Sequence, residues 1–222
     1  EGCRVIRPFG CRYGWSRCVQ TEGGSEMKKV LFVNCCIRRE GSRTQKLADH
    51  FLEGLRKKEG YEIEELCLMD ESLSYFTDGF FEQRERLLAD KQFDHPRFRY
   101  AHQFAEADKI VIAAPFWDLS FPALLKVYIE NLCVEGITFG CNETGCFGTC
   151  KADQLIYLTT RGGFYNDNPM EMGSRYIWAM CDFFGIPRYD CVAGDGLDTG
   201  VRPVEEILED AKKEIDRLLA EF

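Results

Sequence analysis

Hydrophobic positions along this chain follow two periods, and the switches between them mark out its elements. The run 110–114 is continuously apolar, reads as a strand buried on both faces, and is stopped by Pro115, which cannot donate to a ladder. Residues 28–34, 154–160 and 189–194 read as further strands. In 61–68, Ile63 and Leu66 alternate with glutamates, the pattern of a strand with one exposed side near a sheet edge. Between these the period lengthens to that of a helix. Leu47, Ala48, Phe51, Leu52 and Leu55 share one face of 44–58, Pro122 opens a helix carrying Leu124, Leu125, Tyr128 and Ile129, and 170–184 forms another. The last helix is the cleanest, with Val204, Ile207, Leu208, Ala211, Ile215, Leu218 and Leu219 on one stripe. The charged stretch 78–109 reads as helix around a break at Pro96, its inner face made by Phe81, Leu87, Leu88, Phe104 and Ala105.

Five strands alternating with helices need right-handed crossovers and a mostly parallel sheet covered on both faces. The expected fold class is therefore α/β, a doubly wound five-stranded parallel sheet in the order 2-1-3-4-5 with helices on both faces. One domain is expected over 27–222. Residues 1–26 are basic and glycine-rich, without apolar periodicity or the continuous apolar core of a signal peptide. They read as an N-terminal extension outside the core fold, with Met27 as the native start.

Composition narrows the function. With 28 basic and 37 acidic side chains the net charge is -9, which disfavours nucleic acid as a partner. No apolar run approaches the roughly 20 residues that span a bilayer, so no membrane role is expected. The 12 cysteines sit mostly in or beside predicted elements, which argues against a disulfide framework and for a reducing cytoplasm where free cysteine packs as a small hydrophobe.

Candidate chemistry lies in the loops that follow strands, because open parallel sheets bind ligands beyond their carboxyl edge. After strand one, C-C-I-R-R-E-G-S-R-T-Q runs into a helix N-terminus, where Ser42 and Thr44 can serve an anion such as phosphate; plain N-capping by Ser42 is the alternative. Neither G-x-G-x-x-G nor G-x-x-x-x-G-K-[ST] occurs at this loop, so a dinucleotide held by that fingerprint or a nucleoside triphosphate is not expected there. Phe116 and Trp117 follow strand three as a wall for a flat ligand, or as packing for the next helix. Thr159-Thr160-Arg161-Gly162-Gly163-Phe164-Tyr165 follows strand four, and its paired glycines permit close backbone approach. Cys141, Cys146 and Cys150 lack the C-x2-C pair of zinc and ferredoxin sites, so no metal is expected. His50, His95 and His102 have no ligand spacing and suit surface or packing roles.

From Met27 to Phe222 the chain resembles the FMN-dependent NAD(P)H:quinone oxidoreductase and azoreductase family of the flavodoxin-like fold. The resemblance is carried by K-V-L-F-V-N with S-R-T-Q-K-L, by A-D-K-I-V-I-A-A-P-F-W-D-L-S-F-P-A-L-L-K-V-Y-I-E, by G-I-T-F-G and by T-R-G-G-F-Y. It implies FMN as cofactor, its phosphate on Cys36, Ser42, Arg43 and Thr44. The isoalloxazine is then wrapped by Phe116, Trp117, Asp118 and Leu119, its pyrimidine side covered by Thr160, Arg161, Gly162 and Gly163. It further implies NADH or NADPH as electron donor, a small-molecule quinone or azo acceptor, a ping-pong cycle and a homodimer with flavin sites at the subunit interface. Tyr165 and Phe183 would help line the acceptor pocket, and no residue is assigned acid or base catalysis. Cys36 and Asp118 depart from the family's usual serine and asparagine; a thiol donates weakly, and an ionised carboxylate cannot donate to a flavin carbonyl. A flavodoxin-type electron carrier and a flavin-binding redox sensor are the alternatives.

Overall fold

The computed structural model describes residues 27–222; the expected extension 1–26 lies outside them. Strand β1 (Lys28–Asn34) leads into α1 (Arg43–Leu55), then β2 (Tyr61–Cys67), α2 (Asp78–Ala89), α3 (Arg99–Glu106), β3 (Lys109–Ala113) and α4 (Ala123–Leu132). A hairpin of β4 (Phe139–Asn142) and β5 (Gly145–Gly148) follows, then β6 (Gln154–Thr160), α5 (Gly173–Phe184), β7 (Arg188–Gly194) and α6 (Val204–Ala220). The main sheet is parallel throughout, in the order β2-β1-β3-β6-β7. Counting only its strands, this is the expected 2-1-3-4-5.

Alternation along the strands builds two cores. Leu31 and Val33 of β1, Ile110 and Ile112 of β3, and Leu155 and Tyr157 of β6 face α3, α4 and α5. Val30, Phe32, Val111, Ala113, Ile156 and Leu158 face the apolar stripes of α1 and α6. Successive side chains of a strand point to opposite faces, so strands apolar at every position need helices on both sides. The chain after β1 crosses to one face and the chain after β3 to the other. The crevice between their carboxyl ends is the topological switch point, where such sheets bind ligands.

Three sequence expectations need correction. The stretch 78–109 is two separate helices, with a 3-10 turn at Pro96–Phe98 between them, and Lys109 already belongs to β3. Phe81 is exposed because α2 lies over the periphery, where Leu87 alone of that helix is buried. The hairpin was not foreseen: its strands are four residues each and glycine-rich, too short to show alternation. Its register sets Cys141 opposite Cys146 and the two are joined by a disulfide, a single local bridge rather than a framework.

Candidate functional site

Loops from four strands meet at the carboxyl edge, and each is fixed by bonds that the local sequence makes available. After β1, Asn34 Oδ1 accepts from the Cys36 N–H at 2.9 Å while its amide donates to Gln45 Oε1 at 2.9 Å, which folds the loop back toward α1. Ser42 is buried and caps α1, its Oγ accepting from the Gln45 N–H at 3.4 Å, so the capping role is realised. The N–H groups of Arg43 and Thr44 lie in the first helical turn, where no intrahelical acceptor exists, and the helix dipole there favours an anion. Arg38 is exposed beside them and forms no salt bridge among the described residues, although its charge helps to hold the Asp198 carboxyl down. Arg43 is different: its guanidinium grips Asp198 at 2.7 and 3.1 Å, holding that carboxyl below its usual range.

Two of the sequence-selected residues face inward. The Thr44 hydroxyl is fully buried and bonds the Thr160 hydroxyl at 2.6 Å, which ties the loop after β1 to the one after β6. Cys36 is also buried, with Sγ directed at the Ala113 carbonyl at 3.8 Å, and burial pushes its thiol up to about 12. The protein therefore holds it as a neutral thiol packed under the loop.

After β3 the chain makes a two-residue hairpin turn. Trp117 and Ser120 exchange backbone bonds at 3.0 and 2.8 Å, and Asp118 and Leu119 between them have φ of 49° and 68°. Two consecutive left-handed residues suit Asn-Gly, and aspartate tolerates that conformation whereas leucine does not. The need for a left-handed residue is thus a conformational reason for Asn or Asp at 118. The strained Leu119 is pinned by the Met172 N–H, which donates to its carbonyl at 2.9 Å. Trp117 and Leu119 remain 39% and 40% exposed, so neither serves as core packing for α4. Leu119→Gly is expected to raise unfolding free energy by up to about 1 kcal/mol, strain relief outweighing the glycine's added unfolded-state entropy. A lower urea midpoint would show instead that the leucine side chain packs well enough to repay its backbone.

The loop after β6 is zipped to the loop after β7. Gly194, Arg161, Gly162 and Gly163 carbonyls accept from the N–H groups of Arg161, Leu197, Asp198 and Gly196 at 2.8–3.1 Å. Beneath them Arg161 is 4% exposed, 3.4 Å from the equally buried Glu171 and 3.6 Å from Asp195, whose side chain is 8% exposed. Asp195 in turn collects the N–H groups of Tyr165 and Asn166, and Glu171 those of Ser174. The guanidinium lies 5.8 Å from the centre of the Phe116 ring, and Phe116 packs on Tyr165 with centroids 4.5 Å apart. One buried cation and two carboxylates therefore fix the aromatic wall. Sequence reading missed Glu171, Asp195 and Asp198. The two aspartates carried a usable signal, because D-G-L-D follows the last strand directly at the ligand-binding edge.

Within one chain Phe183 lies away from these loops. It lies in the last turn of α5 against Phe139, next to Phe184, whose carbonyl accepts from Cys150 N–H just ahead of β6. That is the amino edge of the sheet, because α5 runs antiparallel to the strands and carries its C-terminus away from the loops. The histidines are where packing roles put them, His50 on Asp216 and His102 on the Phe93 carbonyl.

Taken together, the edge offers a helix N-terminus with an exposed arginine beside it for a phosphate, and aromatics for a flat ring. The chain matches the family model described as flavodoxin-like fold over residues 28–219. It is 41% identical to FMN-dependent NADH:quinone oxidoreductase 2 of Clostridium acetobutylicum, across 88% of this chain and 100% of that protein. A Clostridium perfringens FMN-dependent NADH:quinone oxidoreductase is 38% identical over 85% of this chain and 97% of its own. Among solved structures, an azoreductase from Bacillus anthracis superposes with a TM-score of 0.80 at 29% identity, covering 88% of this chain and 100% of that one.

Proposed function

The chain belongs to the flavodoxin-like family that includes the FMN-dependent NADH:quinone oxidoreductases, and on that premise we propose that it is an FMN enzyme carrying electrons from NADH to a quinone or azo acceptor. The observation that carries the reading is the convergence of a phosphate-competent helix start with the Phe116–Tyr165 wall, locked together by the Thr44–Thr160 bond. Bound FMN would supply acceptance and return of a hydride; the protein binds, orients and encloses.

The Ser42 hydroxyl, the N–H groups of Arg43 and Thr44, and the Arg38 guanidinium hold the phosphate. Arg43 supports that loop through Asp198. Phe116, Trp117 and the backbone of Asp118 and Leu119 lie along the ring, and Thr160 to Gly163 cover its pyrimidine edge. Tyr165 stands where an acceptor would stack. Donor and acceptor share one open face in turn, which is a ping-pong order. Phe164, Met170, Met172 and Trp178 are each about half exposed, and Met172 is bonded to the exposed Leu119, so a second copy of the chain would have apolar side chains to cover.

The protein saturated with FMN should lose its flavin absorbance promptly on anaerobic addition of NADH and recover it with one equivalent of quinone. Slow bleaching by NADH and NADPH alike would favour an electron carrier or a redox sensor. Ser42→Ala should weaken FMN binding by about 1.5–3 kcal/mol, the worth of a bond to a charged group, and lower stability by about 1 kcal/mol through the lost cap. Flavin titration and urea unfolding of the same sample separate the two effects. A fall in stability alone would reduce Ser42 to a cap.

A further inference from the structure

The reading of the edge leaves the hairpin unused, and it lies at the other end of α5. We propose that Cys141 and Cys146 are a reversible thiol–disulfide couple, a modification site that exchanges electrons with low-molecular-weight thiols at the protein surface.

Access is the first reason. Residues 141–147 are all exposed, so a small thiolate can approach either sulfur without opening the fold. Exchange depends on that access as well as on thiolate character. The buried cysteines contrast with the pair. Cys35, Cys36 and Cys181 are closed to solvent and Cys150 is half-buried, and burial pushes each of these thiols up to about 12.

The second reason is that the hairpin does not need the disulfide to keep the sulfurs together. Its register pairs Phe139 with Gly148, Gly140 with Phe147, and Asn142 with Gly145, on either side of the cysteine pair. Asn142 Oδ1 accepts from both the N–H and the hydroxyl of Thr144 at 2.9 and 2.7 Å, closing the turn, and Gly145 supplies its φ of 133°. The base is clamped on α5. Phe139 packs on Phe183 at 4.8 Å, and Gly148 lies so close to Phe184 that a Cβ there would fall 1.9 Å from its carbonyl carbon. A sequence separation of 5 also makes this a short closed loop, which in the chain-entropy model stabilises least. The reduced hairpin therefore keeps its thiols opposite each other, ready to close again.

The step balances with two thiols. A thiolate RS⁻ attacks one cysteine sulfur, the Cys141–Cys146 bond breaks, and the other cysteine leaves as thiolate. A second RS⁻ attacks the external sulfur of the mixed disulfide, releasing RSSR and the second protein thiolate. The pair gains two electrons, two molecules of thiol lose one each, and the two protons of the thiols protonate the cysteines.

The test is equilibration of the full chain in graded ratios of reduced to oxidised glutathione, then acid quench, alkylation and peptide mapping by mass spectrometry. The peptide holding both cysteines should pass from no label to two labels in one transition while circular dichroism stays unchanged. Cys35, Cys36 and Cys181 should take up no glutathione at any ratio. Cys146→Ser should capture one glutathione on Cys141. The proposal fails if the pair resists reduction until the fold is lost, if it is already alkylated in fully oxidised buffer, or if Cys141 takes up no glutathione in that variant. None of these readouts depends on flavin, so the result stands apart from the redox function proposed for the carboxyl edge.

Discussion

Arg161→Met is expected to destabilise the protein by about 3–5 kcal/mol, the usual cost of removing one partner from a buried ion pair. The arginine is the sole cation set between Glu171 and Asp195 in the described structure, and both carboxylates stay buried when it goes. At about 2–4 °C per kcal/mol for a chain of this size, Tm should fall by roughly 6–20 °C. A triple variant, Arg161→Met with Glu171→Gln and Asp195→Asn, should recover much of the loss, since the penalty comes from uncompensated charge. The amide at 195 would accept less strongly from the Tyr165 and Asn166 N–H groups, so recovery should be incomplete. A single variant within about 1 kcal/mol of the parent would mean that water or loop movement reaches the carboxylates.

Gly162→Val should leave stability nearly intact and still cut FMN affinity by up to about 100-fold. The Cβ added at 162 would fall 2.4 Å from Asp198 Oδ2, the end of an exposed and movable side chain. Asp198 can swing aside at little cost to the fold, but it then releases Arg43 beside the proposed phosphate site. The valine would also intrude where the backbone is proposed to meet the flavin's pyrimidine edge. A 100-fold loss corresponds to roughly 3 kcal/mol of binding free energy. Flavin titration together with circular dichroism reads both parts. Normal FMN affinity in a folded variant would remove this loop from the binding surface.

These residues also mark how far the sequence is legible. Strand order followed from period together with the doubly wound architecture that alternating strands and helices imply, since β1, β3 and β6 each carry a run of four apolar residues and β2 alternates as an edge strand should. Ser42 was readable as a cap from its place before an amphipathic run. Direction was not readable in the same way. Thr44 and Cys36 point into the protein, and whether a residue at a helix start faces ligand or core depends on how the next loop packs. The Arg161 network joins residues from two loops separated by more than twenty positions, so no local spacing reveals it. Phe183 lies in the last turn of a helix that begins at the ligand edge, so within one chain it is carried to the opposite edge, and a place in an acceptor pocket would have to come through the proposed second copy. The hairpin escaped because glycine and cysteine dominate its short strands, and neither supplies the β-branched alternation that marks a strand.

If this edge holds a flat ring carrying one phosphate, fluorescence titration of the purified protein with FMN, FAD and riboflavin should separate the three. One FMN per chain is expected, with riboflavin weaker by at least tenfold, about 1.4 kcal/mol, because it lacks the group that Ser42, Arg38 and the start of α1 are proposed to hold. Equal affinity for FMN and riboflavin, tighter binding of FAD, or no flavin binding at saturating FMN would contradict it.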